Sequence, residues 1–156
     1  MRYITTSAEM QKIDQMTIQG IGIPGMVLME KAALKMHDMI VERFSTKEKI
    51  CIVAGTGNNG GDGLALGRML VESGYQVAIQ VIGNTLKASE QFMDQMQILL
   101  ALGIPVCQEA DYEEYDVYIM NYFPKEEGEY YVSSKVHRIE MPKSNVGRIK
   151  SILFKY

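Results

Sequence analysis

At 156 residues, 47% hydrophobic and 22% charged, the chain has the make-up of one soluble globular domain long enough to bury a real core. Its net charge of −3 argues against a general nucleic-acid binder, which needs clustered Lys and Arg, and no apolar run reaches the roughly 18 residues that cross a bilayer. The opening Met1-Arg2-Tyr3-Ile4-Thr5-Thr6 carries no apolar signal segment, and Cys51 and Cys107 read as buried free thiols of a reducing compartment, so a cytoplasmic location is expected.

Thr6 and Glu9 have the spacing of a capping box, with Thr6 or Ser7 as the N-cap of a first helix that Gly20 ends. After the turn Ile21–Gly25, with Pro24 suited to a first helical position, Met29, Ala32, Ala33, Met36, Ile40 and Phe44 recur at helical spacing, while Glu30, Lys31, Lys35, Asp38 and Glu42 take other faces. Most of the twelve methionines fall at such core spacings, as flexible filler. Ile50–Ala54 is a continuous apolar run, as in a parallel strand covered on both faces. A glycine-rich loop follows, Gly55-Thr56-Gly57-Asn58-Asn59-Gly60-Gly61, and then a helix predicted over Asp62–Ser73 with Gly74 at its C-cap. Tyr75–Val81 alternates as a second strand, Ser89–Leu102 is a third long helix, Ile104–Cys107 a short strand and Asp116–Met120 another. Strands alternating with helices predict βαβ units with right-handed crossovers: an α/β, Rossmann-like three-layer αβα sandwich around a mostly parallel sheet.

From Asn121 onward the character changes. This segment has seven Lys or Arg against four Asp or Glu, a net +3 that leaves −6 for the rest. Tyr130-Tyr131-Val132 suits a strand, Val136–Pro142 alternates weakly, and Ile149–Phe154 suits a short helix or strand. No full βαβ unit fits here, so the sheet is expected to be incomplete or closed by a short hairpin, shortened at its C-terminus.

The loop is where the chemistry concentrates. Gly55-x-Gly57-x-x-Gly60 after a strand and before a helix satisfies the dinucleotide fingerprint, yet the acid that would hold the ribose is missing: the end of the next strand offers Gln80, Val81 and Ile82. A Walker loop is excluded because no Gly-Lys-Ser/Thr follows, a hydrolase elbow because Gly-x-Ser-x-Gly is absent, and zinc because no His/Cys cluster has the spacing. His37 and His137 read as surface or boundary histidines. A plain strand-to-helix turn with Asp62 as N-cap accounts for Asp62 but not for Asn58-Asn59 beside the glycines. Adjacent amide oxygens suit a weakly bound cation, and the backbone N–H groups of the turn suit a phosphate. Asp62 fits either an acceptor for a sugar hydroxyl or an acid/base group.

Val53-Ala54-Gly55-x-Gly57-Asn58-Asn59-Gly60-Gly61-Asp62-Gly63 resembles the signature of the NAD(P)H-hydrate epimerase family, the YjeF N-terminal domain. Met10–Asp14, Gly22-Ile23-Pro24 and Leu28-Met29-Glu30-Lys31-Ala32 resemble that family's opening helices in order and spacing, so the likeness runs over about residues 5–119. On this basis residues 1–156 form a single domain of the kind, well matched over 1–120 and atypical over 121–156. The resemblance implies an isomerase of nicotinamide cofactor repair that converts the R to the S epimer of hydrated NADH or NADPH, with NAD(P)H-hydrate dehydratase as functional partner, and often a homodimer. It implies that Asn58, Asn59, Gly60, Gly61 and Asp62 contact the substrate and that Asn59 is a ligand of a potassium ion. Proton transfer at the hydrated nicotinamide carbon needs a carboxylate near the ring, helped by the cation's field; Asp62 and Glu140 are the candidates.

The chain also departs from the family. Where the family's strand ends in an Asp that holds the cation, this chain has Met120, followed by Asn121-Tyr122-Phe123-Pro124, and a thioether is no substitute for a hard oxygen ligand. A later Asp-x-Pro-Ser-Gly strand end of the family is echoed faintly by Ile139-Glu140-Met141-Pro142-Lys143-Ser144. The expected activity is therefore an epimerisation impaired by a missing second half-site. The alternative is a non-catalytic nucleotide-binding or dimerisation module of the same fold.

Overall fold

The computed structural model of the chain describes residues 7–111, 114–121, 136–139 and 152–155. Helix α1 (Ser7–Met16) runs into a π-helical turn, Thr17–Ile21, which closes at Gly22 in the left-handed region (φ 84°). The sequence placed that stop at Gly20; the wider π turn carries the helix past it, and the Gly22 N–H caps the Thr17 carbonyl. Thr6, the other half of the expected capping box, lies outside the described residues.

Helix α2 (Gly25–Val41) starts behind Pro24 and buries Met29, Ala33, Met36 and Ile40, the stripe its spacing predicts. Strand β1 (Lys49–Ala54) is buried from Ile50 to Ala54. Then come helix α3 (Asn58–Glu72), strand β2 (Gln76–Val81), helix α4 (Glu90–Ala101), and strands β3 (Val106–Cys107) and β4 (Val117–Asn121). Strands β5 (Val136–Ile139) and β6 (Ile152–Lys155) follow. The six strands form one sheet in the order β3-β2-β1-β4-β6-β5. Strands β3, β2, β1 and β4 are parallel; β6 joins β4 antiparallel and β5 joins β6 antiparallel. The α/β class and the mostly parallel sheet agree with the sequence. The sheet is indeed closed by an antiparallel pair, and Ile152–Lys155 resolves the open choice at the end of the chain in favour of strand. The suggested strand Tyr130-Tyr131-Val132 lies outside the described residues.

The direction of the chain explains the layers. From β1 it steps outward to β2 and β3, and right-handed crossovers put α3 and α4 on one sheet face. There Ile50, Ile52, Val117 and Ile119 pack with Ala33, Met36 and Ile40 of α2 and with Ala65, Leu66 and Leu70 of α3. Ala54, Ile79 and Val81 meet Leu64, Phe92 and Leu99 beside them. From β3 the chain turns back past β1 to β4. The same handedness then requires the connection to cross the other face, where Ala110 and Tyr115 lie against Cys51, Val53 and Tyr118.

A polar tie holds the three long helices together. Glu30 on α2 accepts from the Arg68 guanidinium of α3 through both oxygens (2.6 and 2.5 Å) and from Gln95 Nε2 of α4 (2.7 Å). The Gln95 side chain is fully buried and Arg68 is 14% exposed, so the pair sits in a low dielectric and water competes for it weakly. Helical spacing put Glu30 off the core stripe, and its side chain stays 34% exposed; the packing of α3 and α4 against α2 is what supplies its partners.

Both cysteines are free thiols, as the sequence suggested. Burial pushes the Cys51 thiol from its ordinary 9.0 up to about 12, with Cys107 nearby adding to the rise. The unfolded chain ionises this thiol at lower pH than the fold does, so its contribution favours folding below about pH 9 and is lost as the pH climbs toward 12.

Two outcomes are expected. Glu30→Ala leaves a shielded guanidinium without its carboxylate and should lower the unfolding free energy by about 2 kcal/mol in urea titrations. A thiol reagent near neutral pH should label native Cys107→Ser, whose sole thiol is Cys51, only on unfolding, whereas Cys51→Ser should label at Cys107 in the native state.

Candidate functional site

In an open parallel sheet, ligands bind beyond the carboxyl ends of the strands, where the strand order reverses. Here the reversal falls between β1 and β4. Ala54, the last residue of β1, stands in register with Asn121, the last of β4, and from Ala54 the chain enters Gly55-Thr56-Gly57 and then α3. The glycine-rich signature therefore lies at the crevice that topology alone would choose.

One expectation needs correcting. Helix α3 begins at Asn58, with Gly57 as its N-cap (φ −94°, ψ −171°), and not at Asp62. Asn58-Asn59-Gly60-Gly61 is the first helical turn and not a loop, and the Gly61 N–H already donates to the Gly57 carbonyl at 3.0 Å. Asn and Gly are weak helix formers, which is why the sequence reads as a loop. Packing reverses that preference. Gly60 backs onto the Gly55 carbonyl so closely that a Cβ would overlap it. At Gly61 a Cβ would stand 2.7 Å from the Met29 Cε of α2 and 3.5 Å from the Phe92 Cα of α4. Asp62 is therefore no N-cap: it lies in the second turn, fully buried at 0% exposure.

The glycines divide by role. Gly60 gives close helix-to-strand approach, and Gly67, whose Cβ would meet Ile79 Cδ1 at 2.5 Å, does the same further along the helix. Gly57 is different. Nothing stands within 4 Å of the place its Cβ would occupy, and the residue is exposed, so the backbone there faces open space. The N–H groups of Asn58, Asn59 and Gly60 open the helix and have no acceptor within it. Together with the positive end of the helix dipole they suit an anion. Asn58 is exposed and Asn59 half-buried, so their amides are the polar side chains of the signature in reach of solvent.

The loop is braced from the β2 side. The Ile82 N–H donates to the Ala54 carbonyl (2.8 Å) and the Ser89 N–H to the Thr56 carbonyl (2.9 Å). Gly83, at φ +121°, lies against the Thr56 side chain. Of the expected site residues, then, Asn58, Asn59, Gly60, Gly61 and Asp62 share two turns of one helix at the crevice. Met120 is paired in register with Val53 and packs against the Cys51, Val53 and Tyr118 cluster on the sheet face away from α3. Glu140 and Ser144 lie outside the described residues. Among the described residues, no group of three or more His, Cys, Asp or Glu is placed to hold a metal ion.

Comparison with known proteins gives three kinds of match. The family model described as "YjeF-related protein N-terminus" matches residues 25–132. A protein of Limosilactobacillus fermentum named NAD(P)H-hydrate epimerase is 47% identical over 104 residues, 67% of this chain and 50% of the relative. Proteins of the same name from Leuconostoc citreum and Weissella koreensis are 39% and 37% identical, over 71% and 73% of this chain and 50% and 52% of theirs. The chain thus spans about half the length of the curated relatives it matches. The crystal structure of yeast ynu0, YNL200c, superposes with a TM-score of 0.68 at 22% identity, over 78% of this chain and 56% of that one, and supports the fold.

Gly57 and Gly60 should separate experimentally. Gly60→Ala forces a methyl group onto the Gly55 carbonyl and should cost about 3 kcal/mol of stability. Gly57→Ala keeps an ordinary backbone conformation and should melt within about 2 °C of the parent, yet weaken binding of an anion such as inorganic pyrophosphate by filling the open space. Calorimetric melting beside a binding titration reads both.

Proposed function

The chain belongs to the YjeF-related N-terminus family, and from that premise we propose that it binds hydrated NADH or NADPH and interconverts its R and S epimers, as a step of nicotinamide cofactor repair. The observation that carries this reading is the signature at the switch point: three N–H groups without an acceptor inside the helix, the exposed Asn58 and half-buried Asn59, and open space over Gly57, all at the opening of α3. In this reading the pyrophosphate lies on the N–H groups of Asn58, Asn59 and Gly60, and Gly57 admits it because it has no side chain. Asn58 and Asn59 orient the ligand by their amides.

The donor set also fits a potassium ion. Asn59 offers a hard amide oxygen beside the crevice, and Asn121 stands at the register position next to Ala54, at the strand end where the family carries its Asp. When bound, the ion would supply a positive field that favours negative charge developing on the substrate.

Proton transfer requires a carboxylate. Asp62 is the carboxylate that the signature itself supplies, buried in the second turn of α3. Glu140 is the second candidate. The hydrated dinucleotide is the small-molecule partner, and the dehydratase that consumes the S epimer is the functional one. Cytoplasmic location and homodimerisation belong to the same proposal, as does the reading of residues 1–156 as one domain. Among the described residues, no helix is long and apolar enough to cross a membrane.

A second reading is favoured by Met120 in place of the family's Asp: a non-catalytic nucleotide-binding or dimerisation module. The two separate in one set of measurements. Incubation with the purified R epimer and potassium, followed by chromatography, should show loss of that epimer above the buffer rate; a rate equal to buffer favours the module. Asn59→Ala should reduce the dependence on potassium more than it reduces stability, and Asp62→Asn should cut rate or binding. A nucleotide at 100 times its dissociation constant should raise stability by about 2.7 kcal/mol; a stable dimer with no such rise would leave only the dimerisation role.

A further inference from the structure

We propose that the outer face of α2 is an interface between two copies of this chain, in which the two helices pack antiparallel about a two-fold axis at Leu34. The inference rests on the homodimer of the reading above and deepens it by giving that dimer its surface.

Helix α2 turns one apolar stripe inward and a second one outward. Met29, Ala33, Met36 and Ile40 face the core. Val27, Leu34 and Val41 recur every seventh residue and are 52%, 50% and 44% exposed. With 3.6 residues to a turn, these three fall on one line about 130° around the helix from the buried stripe. Exposed apolar side chains scattered singly are ordinary surface. Three in line, from the third residue of a helix to its last, make a continuous seam along its whole length.

The charges beside the seam point to a second copy. Lys31 and Asp38 lie on one flank and are exposed. Asp38 stands 3.4 Å from the His37 Nδ1 of its own chain, which leaves its side chain 53% exposed. Glu30 and His37 lie on the other flank, Glu30 held by Arg68 and Gln95 and His37 by the Ser73 hydroxyl (2.8 Å). A two-fold axis brings the same patch to both sides of an interface. With the helices antiparallel about Leu34, Val27 meets the partner's Val41 and Leu34 meets its own counterpart. Lys31 then comes opposite the partner's Asp38, and symmetry makes that pair twice. A parallel arrangement would set Lys31 against Glu30 and Asp38 against His37, both already held within the chain, and would align the two helix dipoles unfavourably. Exposed ion pairs of this kind set register more than affinity. One helix face covers less than the roughly 800 Å² per partner of a standard interface, so the dimer is weak and forms as concentration rises.

Sedimentation equilibrium of the full chain should show a mass that rises with concentration toward twice that of the monomer. Leu34→Asp should weaken association about tenfold or more and melt as the parent does, because the position is half exposed. Lys31→Glu should weaken association less, and Lys31→Glu combined with Asp38→Lys should restore it. In a Cys107→Ser chain the remaining thiol, Cys51, is buried. There Leu34→Cys should cross-link to itself under oxidised glutathione, as a position on the axis must. Val27→Cys should not cross-link to itself but should do so with Val41→Cys in a mixture. A parent that stays monomeric, association untouched by Leu34→Asp, or Val27→Cys that cross-links to itself would overturn the inference. Failure of the epimerase reading looks different: the dimer and its cross-links stand while neither hydrate turns over. Turnover by a parent that stays monomeric would sink the interface and spare the epimerase.

Discussion

Between Gly60 and the Gly55 carbonyl there is no room for a methyl group, and the geometry of the crevice depends on that contact. It lets the first turn of α3 start only three residues after β1 ends. A helix that begins so close to the strand end brings its free N–H groups to the reversal point of the sheet. A Cβ at Gly60 would push the turn outward, and the same N–H groups would then face away from the space over Gly57. Gly61 and Gly67 extend the requirement along the helix, against Met29 and Phe92 on one side and Ile79 and Ile52 on the other. The glycines are thus a packing device before they are a binding device.

Close packing of a helix rich in glycine carries a cost, since each glycine loses more conformational freedom than alanine, by about 0.5–1 kcal/mol. The surroundings offset it. The segment Gly60–Gly67 is buried throughout, enclosed by α2, α4 and the sheet. The Glu30–Arg68–Gln95 tie links the three helices nearly three turns below the opening of α3. That tie is polar where an apolar cluster would serve for stability alone; its fixed donor and acceptor geometry allows one register of α3 against α2 and α4. An opening turn made of poor helix formers is held in place from outside, by neighbours, rather than by its own propensity.

This division explains what the sequence could disclose. The core stripe of α2, the burial of β1 and the parallel pairing of the early strands all follow from local pattern, and each was legible. The start of α3 was not, because Asn58 to Gly61 has the local preference of a turn and becomes helical only through contacts with residues 29, 55 and 92, remote in the chain. The partners of Glu30 escaped for the same reason: α2 alone leaves it on a polar face, and Arg68 and Gln95 reach it only through the packing of α3 and α4. The candidate site was half legible. Its motif and place in the strand–helix turn could be read, while the role of each glycine and the bracing of the loop by residues 82–89 needed coordinates.

The strand order sharpens what the departure at Met120 means. A dinucleotide laid over a reversal point touches the two halves of the sheet differently: the adenosine and pyrophosphate over β1 and β2, the reactive ring toward β4. On the first side the described residues offer the N–H groups at the opening of α3 and the open space at Gly57. Substitution at the end of β4 touches only the second. Met120 cannot act as a hard ligand, and its side chain serves the apolar cluster with Cys51, Val53 and Tyr118. Asn121, one residue on, is paired in register with Ala54. In the proposed function, loss of a carboxylate there would weaken cation binding and transition-state stabilisation. A phosphate held by the N–H groups of α3 would not feel the change, so affinity and reaction would be separable.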